Sequence, residues 1–468
     1  MEHSTTGALT GAPLVTPCAS LAALGCHLRQ IDRFAPLRER VRIAQKTVTH
    51  TPAERLYDAF STILTGAQGL VEVNTRLRSD PALQQAFGRA ACADQSTIQA
   101  RLNACTDENV AQLTAAVTAI YRQHRRGYRH DYRHRRQLLD VDLSGLPCGP
   151  KAALAPKGYF ATQRNRRGRQ LGRVLATRHG AVVADQVFAG TTGLTAARRP
   201  LVEAAEAALG LAEAKRARTI LRVDAGGGSV AEINGPAEIN GPLERGYAIH
   251  AKDYARQRAR QLGQRAAEWL DDPQIPGRQV GWVTAPPTDY VREVRRIAVR
   301  WQRQDGQWGY AVVLSTLTAS EVLAQTGQPA EGVRDQRPVT LAYVRFDDAR
   351  GGGVETARKD DKQGLGRTKR SKERFAAQQV VVLLGALAHH GLVWARHWLA
   401  PHEPKRRRYG LKRLVRDVLH ISGFLAYDAS GRVTQIVFNH HAPLARGLAR
   451  SFDVLLRPAH LAVNWGQT

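Results

Sequence analysis

Acidic side chains are scarce in this 468-residue chain: 41 Asp plus Glu stand against 68 Lys plus Arg, a formal charge of +27 with a pI near 10.6. A soluble surface ordinarily interleaves its signs. A chain this basic tends to meet a polyanion, and nucleic acid is the commonest one. Cysteine is also sparse. Cys18, Cys26, Cys92, Cys105 and Cys148 are widely spaced with no CxxC pair, which argues against a disulfide framework or a zinc site and for reduced thiols in the cytoplasm. Long apolar runs are missing. The longest, residues 380–388, ends at His389 and His390, far short of a membrane span, and reads as a buried helix. No basic region precedes an apolar core near residue 1, so no signal peptide is expected. A basic amphipathic helix suited to a membrane surface is absent as well.

The length exceeds one ordinary hydrophobic core, so two or three domains are expected, and 43% hydrophobic content excludes wholesale disorder. The charge is unevenly placed. Residues 1–120 hold 11 basic and 10 acidic side chains, 121–173 hold 14 and 3, and 358–417 hold 16 and 5. The last two blocks supply 22 of the 27 excess charges, the pattern of a polyanion track. Within the first of them, residues 124–136 (HRRGYRHDYRHRR) interleave Tyr128 and Tyr132 with arginine, which suits contact with a phosphate backbone and some stacking.

Residues 36–120 show helical spacing. Asp94 followed by residues 95–102 reads as a capped helix, either one member of a helix-turn-helix or an ordinary bundle helix. The period then changes. Residues 138–143, 172–177 and 181–188 read as strands, the last two joined by a turn at His179-Gly180; 201–217 reads as a helix and 219–224 as a strand. Strand, strand, strand, helix, strand gives a mixed sheet in the order expected of an RNase H-like core. Residues 279–285, 290–301, 308–317 and 339–346 read as further strands, with a hairpin turn at Asp305-Gly306. A helical block follows from Val354 to Leu399. The segment AEINGP at 231–236 is repeated at 237–242, a tandem duplication too short to build a solenoid.

Cleavage and joining of phosphodiesters need an activated oxygen nucleophile and neutralised charge on the attacking and leaving oxygens; two divalent metals roughly 3.5–4 Å apart do both. Magnesium takes hard carboxylate oxygens, so three converging acids suffice. Asp142 lies in LLDVDLSG with Asp140 as its rival on the same strand face. Asp224 ends a strand beside a glycine run that permits close approach. Glu355 follows Gly351-Gly352-Gly353 at a helix start, with Lys362 two turns along.

On DVDLSGLPCGPKA around Asp142, NRRGRQLGRVLA at 165–176, ILRVDAGGGS around Asp224, RGYAIHAK at 245–252, DARGGGVETARKDDKQGLG around Glu355 and the helical stretch 376–399, the chain resembles the DDE transposases of bacterial insertion sequences. The resemblance is to the group with a β-rich insertion before the catalytic Glu. It implies an α/β fold: an RNase H-like mixed-sheet catalytic core with a β-rich insertion and an N-terminal all-α domain. The expected divisions are a helical DNA-end-binding domain at 1–120, a basic linker at 121–137, core at 138–230, insertion at 231–346, core at 347–400 and a basic region for dimerisation or DNA contact at 401–468. It implies Asp142, Asp224 and Glu355 as catalytic metal ligands for Mg2+, with Mn2+ as a substitute. It also implies a homodimer acting on double-stranded DNA, at terminal inverted repeats and target, in the bacterial cytoplasm at the nucleoid.

Relatives carry a Tyr, Arg, Glu, Lys signature around the third acid. Here Arg350 precedes Glu355 by five residues instead of four, Asp348 or Phe346 stands at the Tyr position, and Lys362 fits. Arg350, Lys362, Arg164, Arg166, Arg167 and Arg169 are expected to contact DNA, and residues 405–408 (KRRR) likewise. Trp301, or Trp308, is the expected base-stacking residue. His389 and His390 are expected to be structural. Two other readings stay open: a decayed or domesticated copy that binds DNA without catalysis, which the AEINGP duplication favours, and a nuclease of this fold without strand transfer.

Overall fold

The computed structural model describes residues 12–44, 49–124, 127–160, 163–224, 245–253, 256–284, 290–329 and 333–467; the AEINGP duplication lies outside them. The described strands are β1 (Leu14–Thr16), β2 (Gln137–Pro147), β3 (Lys157–Phe160), β4 (Gln163–Ala176), β5 (Ala181–Phe188), β6 (Thr219–Val223), β7 (Ala248–Asp253), β8 (Leu270–Asp271), β9 (Arg278–Trp282), β10 (Arg295–Gln302), β11 (Trp308–Ser315), β12 (Gly423–Tyr427), β13 (Val433–Asn439) and β14 (Ala462–Gly466). Two compact units form. One comprises residues 1–124, 146–169 and 358–468; the other comprises 125–145 and 170–357.

The second unit is an α/β structure on a mixed sheet ordered β5–β4–β2–β6–β7–β11–β10–β9–β8. β6 lies parallel to both β2 and β7, while β4 and β5 form an antiparallel hairpin closed at Gly180 (φ 57°). This is the RNase H-like order that the sequence predicts. The β-rich stretch continues the same sheet beyond β7 through antiparallel β11, β10 and β9. Asp305 and Gly306 (φ 75°) turn the β10–β11 hairpin, as expected. The helix read at 201–217 instead spans Leu194–Leu209 and runs through Pro200; Gly210, at φ 62°, ends it in the left-handed conformation that suits glycine. Residues 339–346, read as a strand, belong to the helix Gln336–Asp348, capped by the Asp335 carboxylate on Arg337 N–H. Val339, Leu341, Val344 and Phe346 are apolar and in part β-branched, which mimics a strand. Their burial against Ile297, Val299 and Val313 on the sheet decides for the helix.

The first unit is built around the helix Phe375–Trp398, which packs on the helices Pro52–Leu64, Gln95–Asn103 and Asp107–His124. By length and composition this helix could cross a membrane, yet 94% of its apolar window is buried in the fold. The sequence ended the apolar run at Ala388. The helix continues because His389 Nδ1 finds the buried Asp361 carboxylate at 2.8 Å, the structural role expected of it. The capped helix expected after Asp94 is present, its carboxylate accepting from Thr97 N–H at 2.9 Å. A sheet ordered β1–β12–β13–β14 and the helix Ala445–Leu456 complete this unit. Thus 358–468 shares a core with the N-terminal helices, whereas the sequence divided it at 400 and assigned its first part to the catalytic core.

Candidate active site

Strand register builds the site. Val141 of β2 pairs with Val223 of β6, and Val223 pairs with Ala251 of β7. The next residues are Asp142 in β2, Asp224 just beyond the end of β6, and Lys252 in β7. Adjacent strands lie roughly 4.8 Å apart, so the two carboxylates begin from neighbouring positions. Because side chains alternate between faces, the row two residues earlier, Asp140–Arg222–His250, shares the same face.

That earlier row is structural. Arg222 donates from Nε to Asp140 Oδ1 at 2.7 Å and from Nη2 to Oδ2 at 2.9 Å, while Thr177 Oγ1 donates to Oδ2 at 2.6 Å. Both carboxylate oxygens are engaged, and the pair is fully buried. This separates the two rival acids: Asp140 is an internal counter-ion, and Asp142, 6% exposed, lies one step nearer the end of β6, accepting Leu143 N–H at 2.8 Å. His250 is fully buried edge-on to Phe346, and neither ring nitrogen has a hydrogen-bond partner among the described residues. Burial, then the charges of Arg222, Lys252 and Arg350, hold its pKa well below the usual value, so the ring is neutral.

The segment after the helix Gln336–Asp348 closes over this face. Residues Gly351–Glu355 form one π-turn, a device often found at functional sites. A Cβ on Gly353 would come within 2.6 Å of Asp140 Oδ2 and 2.8 Å of Thr177 Cγ2, so only glycine allows the approach. Arg350, just before the turn, is 4% exposed and places Nη1 2.9 Å from Asp224 Oδ1. Its Nε and Nη2 are buried without a hydrogen-bond partner among the described residues. Burial opposes its charge, but Asp224, Asp142 and Asp347 together outweigh that and raise its pKa. Asp347 is itself buried and ion-paired to Lys252.

Lys252 and Asp347 are functional candidates that sequence reasoning missed. The alternation in RGYAIHAK could have put Lys252 on the face of His250, but its place beside Asp224 depends on β6–β7 pairing.

Glu355 is exposed, its Oε2 folded back to 3.9 Å from where a Gly351 Cβ would stand. Among the described residues no three His, Cys, Asp or Glu side chains gather in a metal-holding cluster. The geometry therefore brings together Asp142, Asp224 and Arg350 and leaves Glu355 at the rim of the same turn. Asp142 and Asp224 are hard oxygen donors of the kind a divalent cation takes, and Arg350 supplies positive charge to them. Lys362 is partly buried in the helix Thr356–Gly364.

The expected DNA-contacting arginines separate by burial. Arg164 and Arg166 are exposed on the β3–β4 hairpin, and Arg167 is half-buried, donating to Ala155 O at 3.3 Å. Arg169 is a correction. It is fully buried and clamps three carbonyls, Ala153, Lys372 and Glu373, at 2.7, 2.9 and 2.7 Å, leaving no donor face for a phosphate. Arg406 within KRRR is likewise buried, bonded to Leu399 O and Ser451 Oγ. Trp301 is half-buried: its indole covers Gly309, whose Cβ would lie 2.5 Å from Cε2, and it packs against the buried core. Trp308 is 38% exposed, and the Arg300 guanidinium stands 4.5 Å from its ring and 4.1 Å from that of Trp269. In the basic arm Arg129, Arg133 and Arg135 are exposed, whereas Arg136 is tied to Glu321.

No protein-family model and no curated protein matches the chain. Among solved structures, the chain is similar to a piggyBac transposase in a synaptic complex with hairpin DNA, at 9% identity and a TM-score of 0.39, over 96% of this chain and 84% of that one. A likeness this loose leaves the site to be read from its own geometry.

Proposed function

We propose that this chain is a DNA transposase that cleaves element ends and transfers the strand into target DNA, with Asp142, Asp224 and Glu355 as catalytic carboxylates. The observation that supports this reading is Asp142 within β2 and Asp224 just past the end of the adjacent parallel β6 of an RNase H-like sheet, with the buried Arg350 on Asp224 and within the electrostatic reach of Asp142. The +27 charge supports a nucleic-acid partner. Mg2+, or Mn2+ in its place, would be held by Asp142 and Asp224 and would supply nucleophile activation and charge neutralisation. Asp140 and Arg222 keep β2 and β6 in register so that the two acids stay adjacent. Arg164 and Arg166 are the exposed cations suited to backbone phosphates, and the bacterial insertion-sequence family, the homodimer and a nucleoid location belong to the same proposal.

The test is cleavage and joining of DNA carrying the flanking inverted repeats. Asp224→Asn and Asp142→Asn should each abolish cleavage while retaining DNA binding; normal cleavage by either variant sinks the proposal. The rim position of Glu355 favours a second reading, a DNA-binding protein that has lost catalysis. Retained binding with no wild-type cleavage in Mg2+ or Mn2+ selects that one.

A further inference from the structure

We infer that Arg350 is a built-in rival of the divalent cation: its guanidinium takes Asp224 when no metal is present and thereby sets the affinity of the site. The inference rests on the proposed reading of Asp142 and Asp224 as metal ligands. Three observations carry it. First, each carboxylate follows directly on the paired residues Val141 and Val223 of neighbouring strands, and Arg350 touches the second of them at 2.9 Å. Both carboxylates act electrostatically on the Arg350 guanidinium, which offsets their like charge. Second, Arg350 is a poorly satisfied partner. It binds Asp224 through Nη1, while Nε and Nη2 are buried without hydrogen-bond acceptors among the described residues. Buried donors left unmet are costly, so the contact is one that a better cation can displace. Third, access is one-sided. The Asp224 side chain is 41% exposed and the Arg350 side chain 5%. A hydrated ion can therefore reach the carboxylate from solvent while the arginine approaches from within. Lys252 cannot substitute, because its ammonium is ion-paired to Asp347.

The test uses the full chain without DNA and Mn2+ as the probe, with bound ion read by electron paramagnetic resonance or calorimetry. Arg350→Gln should tighten Mn2+ about tenfold, a change equivalent to about 1.4 kcal/mol. Arg350→Lys, a cation with a different reach, should fall between the two, and Asp224→Asn should remove the site in every background. In EDTA, Arg350→Gln should melt below wild type, and saturating Mn2+ should narrow that gap. If Asp224→Asn abolishes binding but Arg350→Gln binds Mn2+ no more tightly than wild type, the competition is disproved and the metal site stands. Should the Gln variant fail to fold, unchanged affinity in Arg350→Lys overturns the inference by itself. If wild type binds no Mn2+ that Asp224→Asn removes, the metal reading fails and the inference with it.

Discussion

Asp140 and Asp142 are two residues apart on one strand face, yet their surroundings give them opposite tasks. Asp140 neutralises a fully buried guanidinium, so Asp140→Ala strands Arg222 without its counter-charge and should cost about 3–5 kcal/mol, measured by urea denaturation. Asp142→Asn keeps the acceptor for Leu143 N–H and should cost under about 1 kcal/mol in the same experiment. Equal losses would mean that the two acids are not divided as described. The arginines of β4 divide in the same way. Arg169→Ala removes the guanidinium donors of the Ala153 and Lys372 carbonyls, leaves Glu373 O only the Ala153 N–H, and should destabilise by about 1–3 kcal/mol, whereas the exposed Arg166→Ala should change stability by under about 0.5 kcal/mol. Thermal melts of the two variants check this directly.

Among elements, the helix Gln336–Asp348 delivers both Arg222's third acceptor, Phe346 O at 2.5 Å, and the chain that continues to Arg350. It is fastened to the segment just after β11 by Tyr343, whose hydroxyl donates to Leu317 O at 2.5 Å in a buried setting. Tyr343→Phe should lower the urea midpoint by the equivalent of about 1–3 kcal/mol with an unchanged slope. On the β10–β11 hairpin, Trp301→Ala uncovers Gly309 and should cost about 1–3 kcal/mol. Trp308→Ala removes a partly exposed ring and should cost under about 1 kcal/mol. The reverse order in denaturation would show that the wrong tryptophan has been taken as the packed one.

For the molecule as a whole, two buried histidines set an acid limit. Burial, then Arg33, lowers the His27 pKa to about 4, and His250 lies well below its usual value from burial and nearby cations. The unfolded chain therefore takes up protons first as pH falls. Stability is full above about 6.5 and declines as pH drops toward 4. His250→Leu should flatten part of that decline, read as the Tm difference between pH 7 and pH 5; an unchanged difference contradicts a neutral buried ring. Net charge governs binding. If the basic blocks follow DNA, affinity should fall steeply with salt, and removing Arg164 and Arg166 together should reduce the log–log slope by about 2, since each duplex phosphate neutralised releases about 0.9 counterions.

Composition alone determined that the chain is basic, without a disulfide or CxxC framework, and charged in two blocks, because these are properties of residue counts and spacing. Local pattern determined the β4–β5 hairpin, the strand ending before Asp224, the capped helix at Asp94 and the strand-rich stretch at 278–315, since turn residues and period-two alternation act over a few positions. Tertiary structure decided the rest. Residues 339–346 are helical because the sheet offers an apolar face to cover, and the helix through Pro200 starts earlier than its sequence signals indicate. Asp140 and Asp142 are indistinguishable until Arg222 is brought across from β6, Lys252 joins the site only through β6–β7 register, and Arg169 is known to be buried only once 153, 372 and 373 surround it. Each of these depends on contacts between residues tens to hundreds of positions apart, which the order of residues along the chain does not encode locally and which only packing brings within bonding distance.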